Sequence, residues 1–138
     1  MAISYHSSTE LIILTHTRSI LLNIMTLLKD DSDFQHYLGR FQNLQYYAGL
    51  ALLLRKQWFR LDEQISSARL SNDDSGLKSA LSDCADLILY LNDVLAVVSP
   101  ELSTKIQSCL INLAYDPILN EESMNLNVTL FCAGLTLK

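Results

Sequence analysis

The stretch from Phe34 to Leu70 contains no proline, and its apolar residues recur mostly three or four apart. Phe34, Leu38, Phe41, Leu44, Ala48, Leu52, Phe59 and Ile65 therefore fall on one helical face. Some 36 residues rising 1.5 Å each would make a rod on the order of 55 Å. A compact chain of this length has a radius of gyration of roughly 14 Å. Such a rod overhangs its own domain unless it bends, breaks or projects toward another subunit. A bend is expected, with Gly49 and the Arg60 to Glu63 region as the places for it.

The flanking segments carry the same period. Ser7, with Glu10 three residues on, is a capping-box signature, and a first helix is expected from about Ser8 to Lys29. Leu11, Leu14, Leu21, Met25 and Leu28 form one stripe of it. Ile12, Ile13, Ile20, Ile24 and Leu27 widen that stripe past half the circumference, as in a helix packed on several sides or offering a partner interface. Lys29 to Asp33 breaks the pattern and places acids at the next helix start. Ser71 to Gly76 reads as a loop. A third helix follows over Ser75–Val98, with Leu77, Leu81, Cys84, Ile88, Leu91, Leu95 and Val98 inward and Asp83, Asp86, Tyr90 and Asp93 opposite. Ser99-Pro100-Glu101 restarts a fourth helix, with a serine cap and proline at its first position. It carries Leu102, Ile106, Cys109 and Leu113 and is expected to stop before Pro117. From Asn120 the tail fits a short fifth helix at Met124, Val128, Phe131 and Leu135, although Val128, Leu130 and Cys132 also alternate like a strand.

The 138 residues make one domain, 1–138, with 1–7 and 116–138 outside its clearest pattern. With 4 Gly and 2 Pro there is little material for the turns of an all-β fold. The expected class is all-α: a single-domain helical bundle of four to five helices with one long helix. A net charge of -5 disfavours phosphate backbones and anionic membrane surfaces, so neither nucleic acid nor membrane is expected as a partner. His16 and Arg18 interrupt the first apolar run, which argues against a span. Met1 to Glu10 lacks the basic region of a secretory leader, so Asn127-Val128-Thr129 reads as a chance match to a glycosylation acceptor. Cys84, Cys109 and Cys132 are odd in number and flanked by apolar residues, as expected of reduced thiols in a cytoplasmic protein.

No catalytic motif emerges. His6, His16 and His36 lack histidine partners four residues away, and Asp33 with His36 is explained by a solvated helix start. Gly39, Gly49, Gly76 and Gly134 build no phosphate cradle or nucleophile elbow. Cys84 and Cys109 lie on apolar faces that quieten a thiol. Catalytic residues, cofactors and metals are therefore all expected to be none, and the chain is read as not an enzyme. His16 leaves open an inward haem contact, and with it a small-ligand- or haem-binding bundle as the competing class.

Charge is unevenly divided. Phe34 to Leu70 holds five basic residues against two acids, and Asp73 to Val98 one lysine against five acids. Such a contrast steers helix pairing, within one chain or between two. Tyr46, Tyr47, Leu50, Leu54, Arg55 and Trp58 flank the main stripe, and aromatics recur at interface hot spots. They are the expected protein-interface residues, for a partner protein or for self-association as a dimer. The alternative is that the chain covers this second face itself.

Ser8-Thr9-Glu10-Leu11-Ile12 resembles the opening helix start of flagellin-type export chaperones, and Ala68 to Leu77 resembles their later helix junction. The intervening segment is shorter than in that family, and both matches are made of common helix-cap residues. The resemblance implies a chaperone-like role. The expected function is thus a non-enzymatic bundle, chaperone- or adaptor-like, that recognises a helical protein, with an inhibitor or immunity-type protein as a further alternative.

Overall fold

The computed structural model describes residues 16–120, all helix and connecting turns with no strand among them. In order these are α1 (16–27), α2 (Ser32–Leu38), α3 (Phe41–Ser71), α4 (Ser75–Val97) and α5 (Pro100–Leu110). A π-helical turn (Ile111–Tyr115) and α6 (Asp116–Leu119) complete the set. The long helix is α3, whose 31 residues span about 46 Å. It packs most extensively on α4, then on α5 and the π turn. Three cross-contacts fix the α3–α4 pair as antiparallel. Gln64 lies against Gly76, Arg60 pairs with Asp83, and Tyr46 meets Tyr90.

The helix boundaries follow their end residues. Asp31 caps α2, its carboxylate accepting the Phe34 N–H at 2.9 Å. Ser99 caps α5 in the same way, accepting from Leu102 at 3.2 Å, with Pro100 at the first turn as expected. The loop expected over Ser71 to Gly76 contracts to Asn72–Asp74. Asn72 takes the left-handed conformation (φ 58°) that closes α3. Asp73 then accepts from both the N–H and the hydroxyl of Ser75, which starts α4.

Three expectations about the helices are corrected. The interruption in the long stretch falls at Gly39–Arg40, not at Gly49 or Arg60–Glu63. There Gly39 closes α2, Arg40 is extended (φ -64°, ψ 145°), and the Asn43 amide donates to the Tyr37 carbonyl at 2.6 Å. This break separates the phase of Phe34 and Leu38 from that of α3. The buried face of α3 is consequently Tyr47, Leu50, Ala51, Leu54, Trp58 and Leu61, whereas Leu52 of the expected stripe is 48% exposed. The bulkiest side chains decide the matter, because burying an indole or a phenol ring removes more apolar area than a leucine does.

The second correction is that the helix after Ser99 does not stop before Pro117. It widens into the π turn, where the Asp116 N–H reaches back five residues to Ile111, and continues as α6. A proline supplies no N–H and clashes with the carbonyl four residues back. One wider turn relieves that conflict without ending the helix. Third, Tyr90 is buried at 7% exposure and does not share the solvent side of α4 with Asp86 and Asp93. Its ring fills the α3–α4 seam while its hydroxyl bonds that of Tyr46 at 2.8 Å. The capping box at Ser7 and the fifth helix from Asn120 lie outside the described residues.

Candidate protein-binding surface

The expected interface residues separate into two groups. Tyr47, Leu50, Leu54 and Trp58 are 2%, 6%, 0% and 0% exposed and form the core with Leu87, Leu91, Ile106 and Ala114. Trp58 packs on Tyr115 with ring centroids 5.3 Å apart. For these four, the chain covers its own face. Tyr46 and Arg55 remain outside. Tyr46 sits edge-on to Tyr47 at 5.4 Å, and Arg55 lies over the Phe59 ring at 5.7 Å, one helical turn on.

Exposed apolar side chains are spread over several helices, Leu70, Leu89 and Leu119 among them, and α1 carries three of them in one row. Its inner side is Leu21, Leu22 and Met25, with Met25 fully buried. Its outer side presents Ile20, Ile24 and Leu27, at 60%, 41% and 83% exposure. Their spacing of four and then three places them in one row along the helix. Ser19, Asn23 and Thr26, which flank the row, are exposed and uncharged. Arg18 ties α1 to the bundle, with its guanidinium 5.6 Å from the centre of the Tyr90 ring. One chain of contacts thus runs from α1 through Tyr90 to Tyr46 on α3. The wide stripe of the first helix signalled this surface, although the expected site was placed on the long helix.

The titratable groups of the core are held neutral. Burial pushes the Cys84 thiol up to about 11, with Asp83 adding to the effect and Arg60 opposing it. Burial likewise raises Tyr47 to about 12. Tyr90 is raised further, by burial first and then by its bond to Tyr46. None of the three is an activated nucleophile or base near neutral pH. His16 and His36 are both exposed, so neither turns inward as a bundle haem ligand would. Among the described residues no three His, Cys, Asp or Glu side chains converge as a metal site. No described helix is long and apolar enough to cross a membrane.

The contrast in charge between α3 and α4 is met inside the chain by the Arg60 to Asp83 ion pair at 2.7 Å, with Ser79 accepting a second guanidinium N–H. Both side chains are partly solvated, so the pair contributes about 1 kcal/mol at most. No family model, curated protein or solved structure matches the chain. The resemblance to export chaperones therefore rests on the two short stretches quoted above, of which Ser8 to Ile12 lies outside the described residues.

Proposed function

We propose that this chain is a non-enzymatic, protein-binding helical bundle of chaperone or adaptor type, and that it takes a helical segment of a partner along the outer side of α1. The observation that carries this reading is the row Ile20, Ile24 and Leu27. These are large aliphatic residues, exposed, aligned, and flanked by uncharged polar side chains. A helix with apolar residues three and four apart is complementary to such a row. Exposed aliphatics scattered singly need no explanation, but a row along one helix is a patch.

The energetics set the scale of the interaction. Completing the burial of three partly exposed aliphatic side chains contributes roughly 3–5 kcal/mol. Association itself costs a comparable amount or more. The row alone supports a weak, exchangeable complex, as suits a carrier that must release its client, and tighter binding needs additional surface.

A photo-crosslinking residue at Leu27, compared with one at the exposed Gln107 on α5, tests the proposal in cells that make the protein. The expected outcome is a protein adduct from position 27 that position 107 does not give, lost in the Ile24→Glu variant while circular dichroism stays unchanged. Equal labelling from both positions, or adducts insensitive to Ile24→Glu, would sink the reading.

A further inference from the structure

Gln35 carries its amide into the interior and is only 9% exposed. Its Oε1 accepts the Ser99 backbone N–H at 2.8 Å, which joins α2 to the start of α5. Its Nε2 is enclosed and has no hydrogen-bond partner among the described residues. Buried amide donors are ordinarily paired, so an unpaired one at the wall of a cavity points to a ligand acceptor. The cavity is there: Gln35 lines a cleft of about 380 Å³ between α2 and the first turns of α5.

The charge in the cleft runs against that of the chain. Lys29, Arg40 and Lys105 line it, against the carboxylates Asp30 and Glu101, in a protein of net charge -5. Lys105 reaches across from α5, its Nζ 3.9 Å from where a side chain on Gly39 would begin. Its partner Glu101 is 3.4 Å away and 83% exposed, a solvated pair that leaves the ammonium able to bind another anion. Arg40 stands over the Tyr37 ring with its guanidinium 5.5 Å from the ring centre, a contact that leaves the in-plane N–H groups free to fork onto an oxyanion.

We infer that the cleft between α2 and α5 binds the phosphate group of a small phosphate monoester, held by Arg40, Lys105 and Lys29, and that the Gln35 amide, enclosed beside the cleft, turns its Nε2 onto one of the oxygens. A planar fork, two point charges and a neutral amide donor suit a tetrahedral dianion, whose three terminal oxygens each accept more than one hydrogen bond. The cleft is larger than a bare phosphate fills, so an organic body accompanies the phosphate. This site goes beyond the protein-binding reading and does not depend on it.

Isothermal titration of the full chain with ribose 5-phosphate, inorganic phosphate, ribose and acetate, at constant ionic strength, is the test. The expected order is ribose 5-phosphate tightest, with a Kd on the order of 0.1 mM, then inorganic phosphate, with ribose and acetate not bound. The exposed residues allow substitutions that leave the fold intact. Arg40→Gln and Lys105→Met are each expected to weaken binding about tenfold. Gln35→Glu keeps an oxygen for the Ser99 N–H but replaces the donor with an anion, and is expected to abolish binding. Helicity by circular dichroism separates that loss from unfolding. Ribose 5-phosphate binding no tighter than acetate, or Arg40→Gln and Lys105→Met variants that bind as wild type does, overturns the inference.

Discussion

Asn72 decides where α3 ends and α4 can begin. Its φ of 58° lies in the left-handed region, where a side chain branched at Cβ is strained and glycine is not. Asn72→Val is therefore expected to lose about 1–2 kcal/mol, and Asn72→Gly to be neutral or slightly stabilising, both read from urea midpoints. Equal midpoints for the two variants would show that the turn has shifted to another residue. Trp58 shows a different balance. Its Nε1 is buried with no hydrogen-bond partner among the described residues, which costs about 1–3 kcal/mol. Complete burial of the indole outweighs that cost and keeps Trp58 in the core. At this scale the local signals were readable from the chain. Ser99 with Pro100, and Asp31 ahead of Asp33, each announced a helix start that the structure realises, because a cap is decided by neighbours in sequence.

Elements depend on what they meet in space, and here the reading of the chain was uneven. The helical period of Phe34 to Leu70 was plain, yet two faces of α3 were both apolar enough to be the inner one. Choosing between them required knowing that Gly39–Arg40 breaks the phase, and Gly39 itself is in an ordinary right-handed conformation that any residue adopts. Pro117 misled in the opposite direction. Proline ordinarily ends a helix, but a π turn is a tertiary accommodation without a sequence signature of its own. The junction between α2 and α5 was likewise hidden, since Gln35 and Ser99 are 64 residues apart. That junction makes a prediction at the element scale. Ser99→Ala removes the cap oxygen but not the backbone N–H that Gln35 accepts, so the cost should be a single cap, about 1 kcal/mol. Gln35→Leu keeps the cap but leaves the part-buried Ser99 N–H without its acceptor, and a larger loss is expected. A Gln35→Leu midpoint that stays at the wild-type value would mean the Gln35 bridge contributes nothing to docking α5.

The whole bundle is built on a seam where α3 and α4 bury three weak acids, and this makes its stability sensitive to alkali. Cys84, Tyr47 and Tyr90 are 0%, 2% and 7% exposed, and burial raises the proton affinity of all three. For an acid whose folded pKa lies above its unfolded value, the contribution to stability is complete below the unfolded pKa and disappears as pH rises through the folded one. Cys84 moves from 9.0 to about 11 and Tyr47 from 10.0 to about 12. The loss should begin near pH 9 with the thiol, deepen above pH 10 as the phenols of the unfolded chain ionise, and be complete for these two near pH 12. Each tenfold gain in proton affinity on folding corresponds to about 1.4 kcal/mol, so the groups together reach several kcal/mol. That is a large fraction of the roughly 5–15 kcal/mol that holds a domain folded. Urea midpoints followed by circular dichroism should stay level up to pH 8.5 and fall steeply by pH 10.5. Tyr47→Phe should make the fall above pH 10 shallower, with Tyr90 keeping the remainder, and leave the earlier part in place, because of the three groups only the Cys84 thiol titrates there. Native-state labelling gives an independent check, with Cys84 expected to resist a thiol reagent at pH 8 and to react on unfolding. A midpoint that holds level to pH 11, together with rapid labelling of Cys84 at pH 8, would place these side chains in contact with water and remove the α3–α4 seam as the centre of the core.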